Sequence, residues 1–142
     1  MNKRSVEDTF RHFLLIVSGA IALGTIVELW LTEHTEEPIQ YLPFVICVLA
    51  LLSILAVALR PSRPTILTLR GIMGLSAAVS FFGAFEHFTA NYGFAQEIQP
   101  NAAMPQLIWS ALHGASPLLA PGILGLMAIL AIAATYAHPA NQ

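Results

Sequence analysis

Charge is scarce in this sequence, and so is sulfur. Only 10% of its 142 residues are Asp, Glu, Lys or Arg, against roughly 25% in soluble domains. A chain with so few charges cannot clothe a water-facing surface, which excludes a soluble globular fold. Cys47 is the single cysteine, so no internal disulfide can form. Within its apolar run it reads as a small packed hydrophobe. The formal charge of −2 comes without a basic patch interleaved with aromatics, which excludes a nucleic-acid partner. Catalytic signatures are missing too. There is no phosphate-cradling glycine loop, no nucleophile elbow and no zincin motif. Nor does any His-x-x-x-His or Glu-x-x-His spacing occur. Nothing here defines an enzyme.

What the chain has is hydrophobicity, at 56% of residues. It falls into four runs, predicted as transmembrane helices over 13–31, 41–59, 71–92 and 117–137. Each is close to the ~20 residues that cross about 30 Å of hydrocarbon. The first run is longer than the roughly 7–15-residue core of a secretory signal. It also ends in Glu28-Leu29-Trp30 rather than a small-x-small cleavage site, so a retained span is expected. Arg60-Pro61-Ser62-Arg63-Pro64 stops the second run, because prolines and arginines cannot continue a lipid-facing helix. Gly93 is placed to end the third as a left-handed residue, with a polar loop over 94–104. A short interfacial helix is predicted over 105–115, with Trp109 as its anchor. Ser116-Pro117 then reads as an N-cap followed by proline at the first position of the fourth helix. The expected fold is one domain: an all-α integral membrane bundle of four helices plus that interfacial helix.

Charge placement orients it. Lys3, Arg4, Arg11, Arg60, Arg63 and Arg70 would share the side of the termini, and they are every lysine and arginine in the chain. Glu28, Glu33, Glu36, Glu37, Glu86 and Glu97 fall toward the other side. The positive-inside rule makes the termini cytoplasmic.

The third run organises the rest. At about 100° per residue, Phe81, Phe85, Phe88 and Tyr92 form one stripe, facing lipid, a pigment, a quinone or a partner helix. The opposite side gathers Ser76, Val79, Gly83 and Ala90, with Ser80 beside them, a seam that lets another helix approach closely. Glu86 and His87 flank the seam. Together with Glu28 and His113 they make an intramembrane polar cluster near the outer boundary. Such carboxylates and imidazoles suit a divalent metal or a haem. Hydrogen bonding to neighbouring helices is the plainer use, and it is the one expected.

The acidic loop over 32–38, Arg60-Pro61-Ser62-Arg63, Phe94-Ala95-Gln96-Glu97 with Pro100, Pro117 with Pro121-Gly122, and Tyr136-Ala137-His138-Pro139 resemble small bacterial inner-membrane proteins of four helices that have no assigned activity. The resemblance implies the architecture and a bacterial origin, and transfers no functional residue. The sequence therefore points to a non-catalytic packing or accessory subunit, without cofactor, partnered by lipid and by itself or another membrane protein. Metal or haem binding at Glu28, Glu86, His87 and His113 is the alternative. A proton- or ion-conducting oligomer using Glu28 and Glu86 is the second.

Overall fold

The computed structural model describes residues 6–141 and is all-helical over that range, with five α-helices and no strand among the described residues. Lys3 and Arg4, two of the cations on which the expected orientation rests, lie outside the described residues. Helix α1 is Val6–Leu31, α2 Leu42–Leu59, α3 Arg63–Ile98, α4 Met104–Leu112 and α5 Gly122–Ala134. Three of them, α1, α3 and a segment from Pro38 through α2, are long and apolar enough to cross a membrane. The architecture is compatible with a helical membrane bundle.

Local chemistry sets the boundaries. Glu7 and Asp8 sit in the first turn of α1, where the helix dipole favours acids. That helix closes with a Schellman arrangement: the His34 amide donates to Leu29 O at 2.9 Å and the Glu33 amide to Trp30 O at 3.2 Å. Glu33 occupies the left-handed position, with φ 53°. A 3-10 turn, Pro38–Tyr41, leads into α2, which buries Ile46, Cys47, Ala50, Ser53, Ile54 and Val57 on one face. At the start of α3, Ser62 is the N-cap and exchanges hydrogen bonds with Thr65, with Pro64 in the first turn.

Two differences from the sequence reading bear on the site. Helix α3 has 36 residues, about 54 Å of length, and runs unbroken through Gly93. No glycine has positive φ among the described residues, so Gly93 is no terminator. The expected loop over 94–104 shrinks to 99–103. Its Gln96 and Glu97 are the exposed side of a helix whose other side, Asn91 and Ala95, is covered by α4. The second difference is α5. It has 13 residues, about 20 Å, and falls short of the hydrocarbon thickness. Residues 113–121, in which Ser116 was expected to open the fourth span, form turns instead.

Packing follows a ring. Helix α1 lies against α2 and α5, α3 lies against α2 and α5, and α4 lies on the far end of α3. Small residues bring the backbones close: Ala22, Ala50, Ala128, Ala131 and Ala134 are all buried. Ile66, Leu69, Met73 and Met127 fill the space between them. The end of the bundle that carries Arg11 and Arg70 is tied by those arginines to the segment that follows α5. Arg70 donates to Thr135 Oγ1 at 3.1 Å and Thr135 O at 2.6 Å, and Arg11 donates to Ala137 O at 3.2 Å. Cations belong there, at the negative end of the helix dipole.

The left-handed Glu33 carries strain that glycine would not, roughly 1–2 kcal/mol for an L side chain. Glu33→Gly is expected to raise stability by about 1 kcal/mol. Unfolding in mixed micelles, followed by circular dichroism, measures it.

Candidate functional site

The seam of α3 is the site around which the chain closes. Ser76, Ser80, Gly83, His87 and Asn91 succeed one another at spacings of three and four, so they form one stripe. Opposite them lies the return segment, made of α4, the turns over 113–121, and α5. Ser76 Oγ donates to Leu124 O at 3.1 Å. A Cβ added at Gly83 would stand 2.9 Å from Pro121 Cβ, and one added at Gly125 would stand 3.1 Å from Ser80 Oγ. These contacts are close because each pair contains a glycine. The seam residues Ser76 and Ser80 are buried and Gly83 half-buried, whereas Ala90 is exposed. The stripe drifts around the helix as it rises, so its upper part passes to His87 and Asn91 and leaves Ala90 outside.

Those two residues hold the turns. His87 Nδ1 lies 2.8 Å from Pro117 O, and since a carbonyl only accepts, that ring nitrogen carries the proton. Asn91 is 5% exposed and uses its whole amide. Its Nδ2 donates to Ala111 O at 3.0 Å and Ser116 O at 2.8 Å, while its Oδ1 accepts from the Ser116 amide at 2.9 Å. A Cβ at Gly114 would come within 2.3 Å of Asn91 Cγ, so only glycine fits beside this side chain. Backbone freed by the interruption of the return segment is thus satisfied from α3.

The remaining cluster residues are spread around this clamp. Glu28 and Glu86 are exposed. His113 Nδ1 donates to Trp109 O at 2.9 Å, and its ring lies 4.5 Å from the Trp109 ring. Among the described residues, no three His, Cys, Asp or Glu side chains are grouped to hold a metal ion. The structure therefore does not bring Glu28, Glu86, His87 and His113 together as one ligand set. His34 does come near His87. Burial, and then the charge of His87, hold the His34 imidazole below its ordinary value of 6.5. On the aromatic stripe, Phe81 is 79% and Phe85 60% exposed, while Phe88 and Tyr92 stack with ring centres 6.2 Å apart.

Asn91 and Gly114 were not singled out from the sequence. The signal that could have found Asn91 is its position four residues after His87, on the same stripe as the small residues. Arg70 with Thr135 left no comparable mark, since their separation of 65 residues hides the pairing. No protein-family model matches the chain, and no curated protein or solved structure does either.

Removing the amide should be costly. Asn91→Ala leaves the Ser116 amide and two carbonyls unpaired, a loss of about 2 kcal/mol given that individual interhelical bonds in membranes average about 0.6 kcal/mol. Gly114→Ala alone should cost a similar amount through the clash with Asn91. The double variant should cost less than the two single losses summed, because Asn91→Ala removes the carboxamide that Gly114→Ala meets first, although the Cβ of residue 91, 2.7 Å away, must still yield. Unfolding midpoints of the three variants decide this.

Acid acts on two histidines. His138 is also lowered, by burial first and then by Arg11. A lowered imidazole is neutral in the fold and takes up a proton more readily on unfolding. Stability is therefore steady above pH 6.5 and falls as pH drops from 6.5 toward the lower folded values. His34→Gln combined with His138→Gln should flatten that acid limb, measured as the unfolding midpoint against pH.

Proposed function

We propose that the chain is a four-pass protein of the bacterial inner membrane with cytoplasmic termini, acting as a non-catalytic packing subunit. In this reading α4, the turns and α5 together make the fourth pass, a broken one. Turns within a bilayer are tolerated where protein satisfies their backbone, which is the service His87 and Asn91 perform.

One observation carries the non-catalytic part. Ser76, His87, Asn91 and Arg70 join helix to helix or helix to turn, while Ser18 and Ser53 bond back to carbonyls of their own helices. Among the described residues, no buried side-chain nitrogen or oxygen lacks a hydrogen-bond partner. Ser76, His87, Asn91 and Arg70 are each committed to a backbone carbonyl. The outward surface supports the assembly part. Phe81 and Phe85 are exposed beside Glu86, and Glu28 is exposed on α1. A carboxylate on such a surface needs headgroup water or a partner to satisfy it. The partner is a second copy of this chain or another membrane protein.

Two measurements test the proposal. A reporter active only in the periplasm should work when inserted over 99–103 and stay silent when fused after Gln142. Mild extraction should recover the protein as an oligomer or in a larger assembly, and replacing Phe81 and Phe85 together by alanine should release monomer. A monomeric particle in several gentle detergents, with no cross-linked neighbour in native membranes, would refute the assembly role.

A further inference from the structure

The segment that follows α5 turns back on itself and is fastened to α1. Thr135 O accepts from the His138 amide at 3.3 Å, Arg11 holds Ala137 O, and the Ala140 amide donates to His138 Nδ1 at 3.1 Å. The turn is strained, because Ala137 stands in the left-handed region with φ 46°. Between the turn, α1 and the end of α2, a cavity of about 50 Å³ is lined by Asp8, Arg11, His12, Val57, Pro61 and His138. A water needs roughly 10–15 Å³, so the cavity has room to bring a proton to the half-buried His138. The Ala140 contact works in one protonation state only. An amide only donates, so His138 Nδ1 is bare and the ring proton sits on Nε2. His12, His87 and His113 have the opposite tautomer, each donating from Nδ1 to a carbonyl. A second proton on His138 would set an N–H against the Ala140 N–H and add a positive charge beside Arg11.

We propose that His138 is a proton-operated latch: protonation at Nδ1 expels the Ala140 amide, frees residues 137–141 from α1 and opens the cavity. The latch works in either orientation of the chain. The charges around the ring set its direction. On α1, Arg11 and His12 oppose a charged imidazole and Asp8 favours one. Asp8 is shared with Arg11 at 3.3 Å, and Glu7 pairs with the same arginine at 3.7 Å. The end of α2 contributes apolar Val57, Ala58 and Pro61 to the cavity. On α3, Arg70 is bound to Thr135 and brings a further positive charge to the segment. Burial and Arg11 prevail over Asp8, holding the His138 imidazole below its ordinary 6.5. The latch is therefore closed at neutral pH and opens below 6.5, as the ring takes up its second proton. Opening uncovers Val57 and Ala134, which are 3% and 0% exposed in the closed state.

Nitrogen NMR of the full chain in micelles reads the tautomer, with His138→Asn locating the His138 signals. At about pH 8, His138 Nδ1 should resonate as an unprotonated nitrogen, whereas Nδ1 of His12, His87 and His113 should carry protons. A nitroxide reads the latch. It is placed on Tyr136→Cys, a position 78% exposed, with Cys47→Ala leaving no other thiol. The label should be restrained at about pH 8 and mobile at about pH 5. Below 6.5 the ratio of mobile to restrained label should rise by about tenfold per pH unit, as a single proton requires. Asparagine offers an oxygen to the amide two residues on and does not titrate, so His138→Asn should stay restrained throughout. His138→Leu, which has no acceptor, should be mobile at both pH values. A protonated His138 Nδ1 at about pH 8 would overturn the proposal. So would a parent label equally restrained at both pH values, a His138→Asn variant that loosens in acid, or a His138→Leu variant that stays restrained. Loosening in acid of a second label on Ile16→Cys, in the middle of α1, would show the bundle unfolding rather than the latch opening, and would overturn it too.

Discussion

Inside a bilayer no water stands ready to receive a backbone amide or carbonyl, so any residue that leaves helical geometry must find its partners in protein. In the proposed four-pass arrangement that requirement falls on residues 113–121, which separate α4 from α5. Asn91 answers it with a side chain that donates twice and accepts once, and His87 answers it one turn earlier with a single donor. The glycines follow from this constraint. Gly114 makes room for the Asn91 amide, and Gly83 lets Pro121 reach the α3 backbone. Helix α3 must also be long, because it has to carry the seam past the turns and still present Ala95 to α4.

The same stripe orders the bundle from end to end. Toward one end Arg70 holds the Thr135 carbonyl just past α5, midway Ser76 holds the Leu124 carbonyl, and toward the other end His87 and Asn91 hold the turns. Each of these residues bonds a backbone carbonyl of the return segment, Arg70 adding the Thr135 hydroxyl, so together they constrain its path. Helices α1 and α2 complete the ring through small and branched apolar residues, with Ser18 buried and turned back onto Leu14 O. A bundle assembled this way keeps its carboxylates, Glu28 and Glu86, on the outside. Whatever meets them comes from the surroundings, which ties the packing scheme to the proposed role in assembly.

Much of this was legible in the residues, and the reasons for the rest are physical. The runs ending at Leu31 and Leu59 announce α1 and α2 because hydrophobic length and the flanking prolines are local signals. Ser76, Ser80 and Gly83 declare a packing seam by their period alone. The upper seam was obscured because a helix wheel treats the helix as straight and isolated, and so assigned Ala90 where the drifting stripe meets Asn91. Gln96 and Glu97 looked like a loop because composition cannot show that α4 covers the other side of the same turns. Ser116-Pro117 has the local chemistry of a helix start. What overrides it is a long-range bond from Asn91, a partner 25 residues away that no local pattern contains. His87 was noticed as a candidate ligand, and its bond to Pro117 O, 30 residues away, was equally out of reach.

The central claim is that Asn91 fastens the interrupted return segment to α3, and the Ser116 amide reports on it most directly. Its hydrogen exchange can be followed in bilayers by labelling and fragment analysis. The account predicts slow exchange at Ser116 in the parent chain and fast exchange in Asn91→Leu, with the amides of α1 and α2 unchanged. A Ser116 amide that exchanges rapidly in the parent, or one that stays protected once the Asn91 carboxamide is gone, would contradict it.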